Sequence, residues 1–82
     1  MQMLTFELNE TKDELTIHGD PDGLLFLCET IERLIANTDK GGFDHTHLAT
    51  EEWAGTELSS ESQGGEIINQ VKIYCWKNRI GE

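Results

Sequence analysis

Residues 43–59 read FDHTHLATEEWAGTELS, and regular periodicity stops inside this stretch. Phe43 to Thr50 has the extended alternation and β-branched content of a short strand. His45 and His47 stand two residues apart, so both fall on one face of that strand. From Glu51 through Glu52, Trp53, Ala54 and Gly55 to Gly65, neither a strand period nor a helix period is found. Loops beyond about 12–15 residues in compact domains are either functional or disordered. Trp53 favours function, because disordered segments are poor in aromatic residues.

Upstream of this stretch, Asp20-Pro21-Asp22 predicts a helix start. Asp20 can accept hydrogen bonds from free first-turn amides, Pro21 suits the first helical position, and Asp22 favours the positive end of the dipole. Leu24, Leu27, Cys28, Ile31, Leu34 and Ile35 then recur at helical spacing, which predicts one apolar stripe lying on a sheet. Phe26 falls roughly 160° from the centre of that stripe, on the expected solvent side. Asn37 to Gly42, with its Gly-Gly pair, ends the helix. Before it, Met3–Leu8 and Glu14–Gly19 alternate around a turn at Asn9–Asp13, a hairpin with Leu4, Phe6, Leu8, Leu15 and Ile17 inward.

Downstream, Asn69–Lys77 predicts a last strand with Val71, Ile73 and Cys75 on the helix side and Lys72, Tyr74 and Trp76 on the other. About 17 helical residues span roughly 25 Å and a seven-residue strand about 23 Å, so a strand at Phe43 begins where the helix ends. The expected fold is α+β: a four-stranded, mainly antiparallel sheet (β-β-α-β-β) with one helix on one face and a long loop before the last strand. The expected strand order is 2-1-3-4, with the third strand beside the first. All of this fits a single domain, 1–82.

One helix leaves the second sheet face uncovered unless the long loop or another chain covers it. By alternation that face holds Thr5, Glu7, Thr16, His18, Lys72, Tyr74 and Trp76, with either His45 and His47 or Asp44 and Thr46. Trp53 and Leu58 folding back over Tyr74 and Trp76 would make a satellite core, the favoured arrangement. The alternative is an open aromatic surface for a partner or a second copy of the chain, since Tyr and Trp are frequent interface anchors.

Three blocks carry a family resemblance. His45, His47, Leu48, Thr50, Glu52, Trp53, Gly55, Glu57, Leu58 and Ser59 form the pattern HxHLxTxEWxGxELS, preceded by IHGDPDGL at 17–24 and followed by VKIYCW at 71–76. Together they resemble the immunity protein 32 family of bacterial polymorphic toxin systems. This chain has Ala54 where the family favours a second glycine after the Trp. The resemblance implies a small cytoplasmic protein that protects its host by binding a cognate toxin domain.

Sixteen acids against six bases give a net charge of −10. Such a chain lacks the Lys and Arg needed to neutralise phosphates, so nucleic acid and anionic membrane surfaces are poor partners and a basic protein is a good one. The N-terminus has neither a basic n-region nor an apolar run, which fits cytoplasmic residence. Cys28 and Cys75 lie far apart in no metal or redox spacing and are expected to be buried, reduced thiols. From Asp44 to Glu66 there are six acids and no Lys or Arg. An acidic loop carrying Glu51, Glu52, Trp53, Glu57 and Glu61 is therefore the expected contact surface for a basic toxin cleft, such as a nuclease's. His45 and His47 are the candidate ligands of an alternative metal-binding reading; a structural or dimerisation module is another. No nucleophile with an oriented base appears, so catalysis is not expected, and no cofactor is called for.

Overall fold

The computed structural model describes residues 2–77. Strand β1 (Leu4–Leu8) pairs antiparallel with β2 (Leu15–Gly19), setting Phe6 opposite Ile17 and Leu8 opposite Leu15. Helix α1 (Pro21–Gly41) follows, then β3 (Phe43–Ala49), a 3₁₀ turn at Glu51–Trp53, the two-residue β4 (Glu66–Ile67) and β5 (Gln70–Trp76). All ladders are antiparallel and fall into two sheets, β2-β1-β4 and β3-β5, with α1 packed mainly on β3 and β5. The α+β class and the antiparallel sheet follow the alternation of the sequence.

The strand order departs from 2-1-3-4. The second edge of β1 is taken by Glu66 and Ile67, so β3 does not lie beside it. Residues 66–76 serve both ladders: the Ile68 N–H donates to the Phe6 carbonyl, and one residue later the Asn69 carbonyl accepts from the Thr50 N–H. Where β1 and β3 diverge, the chain at Leu58 and Ser59 fills the gap. The Leu58 N–H donates to the Ala49 carbonyl and the Ser59 N–H to the Leu4 carbonyl. Leu58 thereby joins Leu4, Phe6 and Leu48 in the buried core, with Phe26, Leu27, Ile68, Val71 and Ile73 packed around them. It does not fold over Tyr74 and Trp76, which stay half exposed, so the expected satellite core is absent.

The helix is capped as its sequence demands. Asp20 Oδ1 accepts from the Gly23 N–H at 2.7 Å, and Gly42 closes the far end at φ 86°, donating to the Thr38 carbonyl. Its rotation differs from the expected one. Gly23, Thr30, Leu34 and Thr38 are buried and Leu27 partly so, whereas Leu24, Cys28, Ile31 and Ile35 are exposed and Phe26 packs inward. The cause lies in the first turn. Asp20 Oδ1 also accepts from the Met3 N–H, and the Asp20 N–H donates back to the Met3 carbonyl. A Cβ on Gly23 would stand only 1.8 Å from that carbonyl oxygen, so position 23 lies against the lead into β1. Positions 27, 30, 34 and 38 then follow inward at helical spacing. Cys28, expected to be buried, is exposed on this account, and Cys75 is half-buried; both are free.

Candidate functional site

The 43–59 stretch owes its shape to hydrogen bonds on both sides of the 3₁₀ turn. Thr50 is almost fully buried; its hydroxyl donates to Asn69 Oδ1 at 2.8 Å, and its carbonyl accepts from the N–H groups of Trp53 and Gly55. Gly55 comes so close to β3 that a Cβ there would lie 2.5 Å from the Ala49 carbonyl oxygen. Glu57 Oε1 accepts the Ala49 N–H at 3.1 Å, satisfying a backbone donor on the outer edge of β3. The loop is thus held at Ala49, Thr50 and Leu4, in keeping with the rule that buried backbone groups are paired.

These contacts sort the ten pattern residues by what they touch. Leu48, Thr50 and Leu58 are buried, Gly55 permits the close approach, Glu57 is half-buried as a backbone acceptor, and Ser59 is half-buried with its N–H on the Leu4 carbonyl. His45, His47, Glu52 and Trp53 are exposed. Trp53 is 58% exposed at the end of a turn that also presents Glu51 and Glu52 to solvent. The expectation that its indole is core is therefore overturned: the turn carries it away from the sheet. Glu61 is exposed beyond it. Of the five expected contact residues, the structure brings Glu51, Glu52 and Trp53 together on one turn and gives Glu57 an internal partner.

On β3 and β5 the register resolves the face that the alternation left ambiguous. His45 lies opposite Tyr74 and Phe43 opposite Trp76, so the histidines share the outer face with these aromatics. Phe43 stacks on Trp76 with ring centroids 5.1 Å apart, Tyr74 on Trp76 at 5.7 Å, and His45 on Tyr74 at 5.0 Å. Phe43 and Tyr74 are each about half exposed. His45 and His47 face one another at 5.0 Å, but among the described residues no three His, Cys, Asp or Glu side chains are grouped as a metal ion requires. Phe43, two residues before His45, belongs to the same face, and its pairing with Trp76 joins it to the aromatic row.

The outer face of β1 is covered by the long loop, one of the two ways the sequence left for closing it. Glu7 is 2% exposed and Thr5 1%. The Glu7 carboxylate accepts from the Thr5 hydroxyl at 2.6 Å, the Ser62 hydroxyl at 3.2 Å, and the N–H groups of Gln63 and Gly65 at 3.0 and 2.8 Å. Burial alone would raise this carboxyl's pKa, but the four donors outweigh it and lower it from 4.5 to about 2. The carboxylate draws residues 62–65 over β1 and sets Glu66 beside Leu8, which is why β4 forms there.

An open groove of about 540 Å³ separates α1 from the free edge of β3, lined by Phe26, Thr30, Arg33, Thr46 and His47 among others.

The sequence model of the family described as Immunity protein 32 matches residues 14–71. No curated protein and no solved structure matches the chain.

Proposed function

The chain belongs to the immunity protein 32 family, and from that premise we propose that it neutralises a cognate toxin domain by binding to it, without catalysis of its own. The contact surface in this reading is the Glu51-Glu52-Trp53 turn, flanked by Glu61, and the toxin face that it covers is basic, as a nuclease's substrate cleft is. The reaction to be blocked would be in the cytoplasm of the producing cell. The observation that carries the reading is Trp53: a large indole, 58% exposed, on a turn anchored by Thr50 and Gly55 and bordered by two exposed carboxylates. A fixed aromatic with few rotatable bonds loses little entropy on binding and is a frequent interface anchor. Net charge −10 speeds encounter with a cationic partner. Glu57 supports the surface from below by holding the loop to Ala49.

The test is binding kinetics with the toxin domain encoded beside this gene. Glu51→Lys with Glu52→Lys should lower the association rate by about one to two decades at low salt, with the loss shrinking at high salt. Trp53→Ala should act on dissociation, weakening the complex by about 2 kcal/mol or more, while shifting folding stability by less than about 1 kcal/mol because the indole is exposed. Unaltered kinetics in both variants would remove this turn from the interface. The exposed Phe43, His45 and Tyr74 ladder would then be the next surface to substitute.

A further inference from the structure

We infer that the open apolar surface between α1 and β2 is the contact face of a symmetric homodimer. The rotation of α1 described above creates it. Thr30, Arg33 and Asn37 line the β3 side of the helix, while Leu24, Cys28, Ile31 and Ile35 form a strip on the opposite flank. Leu15 and Ile17 stand on the helix-facing side of β2, opposite Leu8 and Phe6, yet the helix leaves them uncovered because it packs chiefly on β3 and β5. Gly19 joins the two parts: a Cβ there would lie 2.9 Å from the Leu24 side chain. The five aliphatic residues are 38–54% exposed. They expose on the order of 400 Å² as one patch, comparable to the largest apolar patches of ordinary monomers, which are often functional.

Three features select a second copy as the occupant. The first is charge. Leu15–Gly19 and the helix strip contain no Asp, Glu, Lys or Arg, in a chain whose net charge is −10. Two copies repel over most of their surface and least here, whereas a basic toxin is drawn to the acids elsewhere. The second is the backbone. β2 is the terminal strand of its sheet, so its outer edge can pair antiparallel with the same edge of a two-fold-related copy. That pairing sets Leu15 and Ile17 of both copies on one continuous face and brings the helix strips over them. The third is size. The aliphatic patch supplies about half of the roughly 800 Å² per partner that a stable interface buries, and edge pairing of β2 adds Thr16 and His18 on the opposite face of the strand.

Sedimentation equilibrium across a concentration series tests this in the absence of any toxin. The expected result is a monomer–dimer equilibrium that tightens as salt is raised, because screening weakens the repulsion between the two anionic copies. Ile17→Lys and, separately, Ile35→Glu should each weaken dimerisation at least tenfold while leaving circular dichroism and thermal unfolding of the monomer close to wild type, since both side chains are already about half exposed. A monomer at every concentration and salt would overturn the proposal, as would a dimer indifferent to both substitutions. A monomer that loses toxin binding on Ile17→Lys would overturn it too, by assigning the surface to the toxin.

Discussion

Ala54 is a non-glycine residue at φ 65°, ψ 24°, closing the 3₁₀ turn in the left-handed region that costs an L-residue roughly 1–2 kcal/mol. Glycine is the residue that takes this conformation without a Cβ penalty, so the position is one where Ala carries a cost that Gly would not. Ala54→Gly removes the Cβ penalty but adds unfolded-state entropy of about 0.4–1 kcal/mol. The net expectation is a gain of about 0.5–1 kcal/mol, read as a higher denaturant midpoint with an unchanged slope. A destabilised variant would mean that the turn holds Ala54 through side-chain packing. The same residue scale divides the acids that sequence alone treats alike. Glu7 is a buried acceptor for four donors, Glu57 holds the edge of β3, and Glu51 and Glu52 face water. Counting carboxylates along the chain cannot make this division, because it depends on which backbone N–H groups the fold leaves unpaired nearby.

At the scale of elements, α1 separates what local chemistry dictates from what it does not. Its start at Asp20-Pro21 depends on a cap within a few residues and stands where the sequence puts it, while its 21 residues run on through the expected ending segment, about one turn beyond the length expected, until Gly42 supplies the left-handed cap. Its rotation depends on Met3, twenty positions away from Gly23, and the most apolar stripe is therefore not the buried one. Gly23→Ala isolates that contact. Helix propensity alone favours Ala by about 1 kcal/mol. The new Cβ would meet the Met3 carbonyl oxygen, a backbone atom, so the first turn must shift off β1. We expect a net loss of about 1–3 kcal/mol in a denaturant melt; a more stable variant would show that Met3 does not set the rotation. Strand β4 and the strand order escaped the sequence for a like reason: they follow from Glu7 capturing residues 62–65, a contact across more than fifty positions. The Trp53 turn could be picked out because its lack of periodicity is itself local. Whether its indole was core or surface could not, since that turns on where Leu58 and Ser59 dock.

The whole molecule balances two electrostatic effects that respond oppositely to acid. A net charge of −10 is self-repulsive, and protonating the exposed carboxylates relieves it. Glu7 works the other way. Its folded pKa of about 2 lies below its ordinary 4.5, so its stabilisation is complete above pH 4.5 and is lost as the pH falls from there towards 2. Asp20 is displaced in the same direction by the Met3 and Gly23 N–H groups, which adds to the loss on the acid side. Neutralising Glu7 would leave a buried site of four donors facing one neutral carboxyl, and the loop at 62–65 would detach from β1, taking β4 with it. The melting temperature should therefore hold steady from neutral pH down to about 4.5, rise with added salt over that range, and fall steeply below it. In Glu7→Gln the amide nitrogen brings a donor to a site that already has an excess of them, which lowers the neutral-pH stability by about 1–3 kcal/mol. The same change flattens the acid limb, because the group that titrated is gone. An acid limb as steep in Glu7→Gln as in the parent would place the acid sensitivity elsewhere and reduce Glu7 to one hydrogen-bonded carboxylate among many.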